Sequence, residues 1–178
     1  MEAAGRPSSR LAAVAAVARR VIEGWALAGG LLLLAIVLLT AWSLAGDVLG
    51  GGPLPGDFEI VEVGVAVAVF SFLPYCQVTG ANVTADIFTA GAGPRLKRVL
   101  GLAAAAIALG FSAFLTWRMY LGMQDYRRYE EVTTIYQFPI WQAFVPILVS
   151  LFLLVVASLI TLGESLRAAP PPDAPGVD

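Results

Sequence analysis

Long uncharged apolar runs, separated by short polar or glycine- and proline-rich breaks, dominate this chain. Trp25 to Ala45 is the first run and carries no charge. Ile60 to Val78 is the second, interrupted only by Glu62 near its start. Val99 to Trp117 is the third, and Phe138 to Gly163 lies in an uncharged stretch that begins after Glu131. About 20 mostly apolar residues in an α-helix cross roughly 30 Å of hydrocarbon. Each run has that length, and none alternates as the strands of a membrane barrel must. The pattern predicts an all-α membrane protein with four transmembrane helices at about 25–45, 60–78, 99–117 and 140–162. They form a membrane domain over 21–167, between a basic tail at 1–20 and a proline-rich tail at 168–178. Ser43-Leu44-Ala45 resembles a small-residue cleavage site. The run before it exceeds the roughly 7–15 residues of a signal-peptide core, so it is expected to remain as a span.

Composition makes lipid the solvent. The chain is 58% hydrophobic and 13% charged, where a soluble domain has about 25% charged residues. A domain of this size buries only about 70% of its unfolded surface, so a core cannot hide that excess. Residue inventory then narrows the chemistry. There is no His, which removes a His-ligated haem, a histidine zinc site and a His general base. The single Cys removes an intramolecular disulfide and a CxxC redox pair. A net charge of −2 argues against a nucleic-acid partner. No enzyme activity, metal or cofactor is expected.

Lys and Arg set the expected orientation. The N-terminal tail, the second connection and the C-terminal tail carry eight: Arg6, Arg10, Arg19, Arg20, Arg95, Lys97, Arg98 and Arg167. The first connection has none, and the third has Arg118, Arg127 and Arg128, offset by Asp125, Glu130 and Glu131. Both termini are therefore expected in the cytoplasm. Trp25 and Trp42 bracket the first run, and Trp117, Tyr120, Tyr136 and Trp141 gather where the third and fourth meet the outer face, as interfacial aromatics do.

Few polar or special residues interrupt the runs. Glu59 and Glu62 share a helix face at i, i+3. Glu62, about one turn inside the run, is an interfacial carboxylate, a partner-facing group or an ion carrier. Pro74 removes a backbone bond and is expected to kink the second helix, with the Gln77 amide near enough to serve the freed carbonyl. Cys76 reads as a small apolar residue. Gly64 with Ala68, and Ala106 with Gly110, have helix-packing spacing. In the second connection Val83, Ile87 and Phe88 predict a short amphipathic helix, ended by Gly91 and Gly93, with Pro94 placed to open the third helix. Leu11 to Ala18 is too short to span; it lies on the membrane surface or extends the first helix. The third connection, Asp125 to Glu131, is a solvated loop or a docking surface.

At this point the chain resembles the small membrane subunit of tripartite ATP-independent periplasmic transporters, the DctQ-like proteins. Phe58-Glu59-Ile60-Val61-Glu62 opens the second span as in that family, and Phe72-Leu73-Pro74-Tyr75-Cys76-Gln77 resembles its leucine-proline-tyrosine segment. Gly80-Ala81-Asn82-Val83-Thr84-Ala85-Asp86-Ile87 resembles its glycine-x-histidine-valine-x-valine-aspartate stretch, with Asn82 where His is frequent and Ala85 where Val is usual. Pro94-Arg95-Leu96 follows, and Glu131 precedes Pro139-Ile140-Trp141 as the family's glutamate, proline and tryptophan do. The resemblance implies an accessory scaffold in the bacterial inner membrane. Its implied partners are a large multi-span permease, which carries the substrate and sodium sites, and a periplasmic solute-binding protein that delivers a dicarboxylate or other organic acid. It places Glu59, Glu62, Pro74 and Asp86 at the subunit contact, and Arg127, Arg128, Glu131 and Trp141 on the periplasmic docking face. Two competing classes stay open on the residues alone: a self-sufficient four-helix proton-coupled exporter working through Glu62, and a haem-free anchor of another membrane complex.

Overall fold

The computed structural model describes residues 9–80 and 94–167. Asp86, the amphipathic helix expected in the second connection, and the proline-rich tail lie outside them. Four helices follow in order: α1 (Ser9–Val48), α2 (Asp57–Thr79), α3 (Pro94–Arg128) and α4 (Trp141–Arg167). All four are long and apolar enough to cross a membrane.

The helices outrun the apolar runs because nothing in the chain stops them at the lipid boundary. The 40 residues of α1 extend about 60 Å and the 35 of α3 about 52 Å, against roughly 30 Å of hydrocarbon. Leu11 to Ala18 continues α1 as helix. Glycine provides the stops. Gly50 and Gly52, with φ of 83° and 78°, turn the chain after α1, and Gly56 at 77° leads into α2. Gly80 at 67° closes α2, its N–H donating to the carbonyls of Cys76 and Gln77, a left-handed C-terminal cap. Pro94 opens α3 as expected.

In the bundle, α2 lies between α1 and α4, α4 lies between α2 and α3, and α1 meets α4 over a smaller contact. The buried residues are mostly small: Ala68, Ala105, Ala157, Ser71, Ser112, Ser150 and Ser158, with Ile22, Ile36, Ile147 and Leu151. Lipid supplies no hydrophobic drive between helices, so close backbone approach holds them together. Gly29 sits against Ser71, and Gly64 against Ile36. Most of the buried serines use their hydroxyls: Ser71 donates to the Val67 carbonyl at 2.8 Å and Ser150 to that of Pro146 at 2.9 Å, while the Ser158 hydroxyl is buried without a partner among the described residues.

Three expectations change here. Trp25 does not anchor an interface; its indole N–H donates to Ser150 Oγ of α4 at 2.8 Å, because that hydroxyl is an available acceptor inside the bundle. Ala106 and Gly110 do not pack against the chain's own helices: both are exposed, since α3 turns Ala105 and Ser112 inward instead. Pro74, placed by the resemblance at a subunit contact, is fully buried within the chain, so its ring has no free surface to offer. Trp25→Phe should lower the thermal unfolding temperature in detergent, by about 1 kcal/mol of stability. An unchanged transition would show that the bond contributes nothing.

Arg19 and Glu164 pair at 2.7 Å, so the start of α1 and the end of α4 share one end of the bundle. The α1–α2 turn and the α3–α4 connection meet at the other end and form the cap described next.

Candidate functional site

The cap is built from the α1–α2 turn, the first turn of α2, the end of α3 and the α3–α4 connection. Ser43, buried near the end of α1, ties the turn together. Its hydroxyl donates to Asp57 Oδ2 at 2.5 Å and accepts the Leu54 N–H at 3.1 Å. Asp57 and Glu59 occupy the first turn of α2, where unsatisfied backbone N–H groups favour negative charge.

The α3–α4 connection is a small hairpin, not an open loop. Val132 and Pro139 form an antiparallel bridge. Thr133 donates its N–H to the Phe138 carbonyl at 3.0 Å and Ile140 to that of Glu131 at 3.1 Å. Thr133 Oγ1 accepts the Phe138 N–H at 3.0 Å. Glu130 and Gln137 adopt φ of 51° and 50°, the left-handed region that tight reversals demand.

The hairpin tip is fastened to α2. Glu59 accepts the N–H of Ile135 at 2.7 Å and of Tyr136 at 3.1 Å, one on each carboxylate oxygen. The Tyr136 hydroxyl donates to the Pro55 carbonyl at 2.9 Å, and its ring fills the space where a Gly56 side chain would stand. A groove of about 550 Å³ opens beneath this clasp, lined by Ile60, Val63 and Gly64 of α2 and by Thr133, Tyr136 and Phe138 of the hairpin. On the far side of the cap, the Arg127 guanidinium lies 5.5 Å from the centre of the Trp141 ring, within cation–π range. Tyr126 and Phe144 stack with centroids 5.1 Å apart.

The residues singled out in the sequence thus separate. Glu59 belongs to the clasp. Arg127, Arg128 and Glu131 are exposed at the rim of the cap, and Trp141 is half-buried under Arg127. Glu62 is exposed on the flank of α2, away from the clasp. Sequence reasoning missed Pro55 and the part that Ser43 and Tyr136 play in the cap, reading the first only in a cleavage-site resemblance and the second only as an interfacial aromatic. The sharpest available signal for them was Gly56 directly before two acidic residues of α2, which marks a turn meeting a helix N-terminus. Among the described residues no three His, Cys, Asp or Glu side chains converge as a metal site would require.

Residues 36–168 match the family model of the DctQ component of tripartite ATP-independent periplasmic transporters. The chain belongs to this family. The match runs from the middle of α1 to the end of α4 and includes every part of the cap. No curated protein and no solved structure matches the chain. A DctQ component is a membrane part of a transporter and not an enzyme. With four spanning helices the chain is a multi-pass inner-membrane protein.

Proposed function

We propose that the chain is the scaffold subunit of its transporter. It braces a large multi-span permease and presents part of the surface on which a periplasmic solute-binding protein lands, for import of a dicarboxylate or another organic acid. The hairpin end faces the periplasm in this reading, and both termini face the cytoplasm. The basic residues at 6, 10, 19, 20 and 167 lie toward the termini end of the chain, in keeping with positive charge on the cytoplasmic side.

One observation carries the reading: a braced, polar-rimmed cap stands on an otherwise apolar bundle. Ser43, Glu59 and Tyr136 hold the cap in one arrangement, so Arg127, Arg128 and Glu131 are displayed from a rigid base. Rigid presentation lowers the ordering cost of docking, and exposed rim charges act on association rate more than on final affinity.

Arg127→Glu together with Arg128→Glu should therefore slow uptake about fivefold or more at limiting binding protein, with the permease still co-purifying. Excess binding protein and low salt should alter the deficit. The measurement is initial uptake into vesicles holding the assembled transporter, titrated with binding protein. Unchanged uptake at every concentration would remove the docking role.

A further inference from the structure

We propose that the groove beneath the hairpin tip holds one acyl tail of a phospholipid whose headgroup carries an ammonium, with that headgroup against the acidic start of α2. The inference rests on the chain being a membrane protein and is independent of the scaffold reading.

The length of α2 fixes the depth of the groove. Its 23 residues extend about 34 Å, against roughly 30 Å of hydrocarbon. At most about 4 Å, or about three residues, can project at either end. Val63 and Gly64, which line the groove, lie about 9–10 Å along the helix from its first residue. They are therefore at the level of lipid tails. Glu59, which also borders the groove, lies nearer the helix start.

The polar atoms of the walls are already committed within the chain. The Glu59 carboxylate accepts the Ile135 and Tyr136 N–H groups. The Tyr136 hydroxyl donates to the Pro55 carbonyl. Thr133 bonds to Phe138 through both its N–H and its Oγ1. What remains is the apolar surface of Ile60, Val63, Gly64 and Phe138. A small organic acid would find no spare side-chain donor there and would face a carboxylate. A peptide segment would find no partners for its backbone. A hydrocarbon tail needs neither, and about 550 Å³ is ample room for part of one.

A tail gains little by leaving bilayer for a groove of equal polarity. The headgroup therefore decides which lipid is retained. α2 opens with Asp57, Glu59 and Glu62, the hairpin carries Glu130 and Glu131, and neither element has a Lys or Arg. Neutral N–H groups brace the Glu59 carboxylate without cancelling its charge. Among the described residues the one ion pair, Arg19 with Glu164, stands at the other end of the bundle, and Arg127 is engaged with the Trp141 ring. An ammonium is complementary to this rim, and a purely anionic headgroup is repelled by it.

The test places the assembled transporter in vesicles of equal phosphatidylethanolamine and phosphatidylglycerol. A trace of either lipid bears a photo-reactive diazirine in its tail, and adducts are mapped by peptide. Adducts at residues 60–64 and 133–138 should be about fivefold or more abundant with the ethanolamine lipid. Adducts at Leu31 and Leu34, exposed on α1, should show no headgroup preference. Val63→Trp should fill the groove and cut its adducts about fivefold or more, whereas Val69→Trp, on an exposed position of the same helix, should not. Equal labelling of groove and α1 by both lipids would mean bulk lipid only and would overturn the inference. No groove adducts alongside normal α1 labelling would mean that a protein segment fills the groove, which overturns it equally. The comparison of headgroups on the native chain decides the matter even if Val63→Trp does not fold. The scaffold reading survives any of these results.

Discussion

Gly29→Leu is expected to force α1 and α2 apart. A Cβ at position 29 would come 2.6 Å from Ser71 Cβ and 3.4 Å from the Ala68 carbonyl oxygen. Neither atom is the end of a flexible side chain, so the helices themselves must separate. Overpacking costs about 1–3 kcal/mol in a well-packed core. Here the cost should reach the upper part of that range, because close approach is the main force between helices in lipid. Ser71 is also fixed by its bond to Val67, which removes the easiest escape. Thermal unfolding in detergent is the measurement. Gly24→Leu is the control, since nothing lies within 4 Å of that position. It carries the same change in helix propensity and lipophilicity at a site on the same helix. Equal transitions for the two variants would show that the Gly29 contact does not hold the pair together.

Glu59→Ala and Gly56→Ala should each release the hairpin tip while leaving the bundle folded. In the first, the Ile135 and Tyr136 N–H groups lose their acceptor. In the second, a methyl group would stand 2.5 Å from the Tyr136 ring and on a residue with φ of 77°, a conformation that a side chain disfavours by about 1–2 kcal/mol. The ring must leave, and its hydroxyl then loses the Pro55 carbonyl. Amide hydrogen exchange reads both variants directly. Protection at Ile135 and Tyr136 should fall about tenfold or more, with exchange in the middle of α2 and α4 unaltered. A protease acting on the hairpin end should also cut between residues 131 and 139 faster than in the native chain. Unchanged protection in Glu59→Ala would mean that the carboxylate does not hold the tip. The two variants reach the same clasp from opposite sides, so their effects should be less than additive. If Glu59→Ala also slows uptake while Arg127 and Arg128 remain in place, the rigidity of the cap contributes to docking along with its charge.

Much of the architecture was legible before any coordinates. Four apolar runs became four helices, and Pro94 became the first residue of the third. These features are local. Span length follows from hydrocarbon thickness, and helix starts and stops follow from the conformational limits of proline and glycine. Spacing was less reliable. Gly64 with Ala68 and Ala106 with Gly110 carry the same small-residue signature, yet the first pair packs against α1 and the second faces outward. A spacing rule identifies a face that permits close approach and does not say which helix comes to it. Trp25 shows the same limit. Its amphipathic ring suits an interface equally well, but a serine acceptor on α4 draws it inside.

The cap was the least legible part. Glu59 looked like a companion of Glu62, three residues apart on one helix. Their roles separate because backbone N–H groups 76 and 77 residues away come to one carboxylate and not to the other. Glu130 and Gln137 turn the chain without a glycine to announce it, so the third connection read as a loop of mixed charge. Composition and contiguous runs set the solvent, the number of spans and the scarcity of catalytic side chains, since each is a local or summed property of the chain. Which carboxylate is satisfied, which faces stay open and what fastens the cap follow from packing, because those outcomes depend on groups far apart in the chain meeting at one end of the bundle.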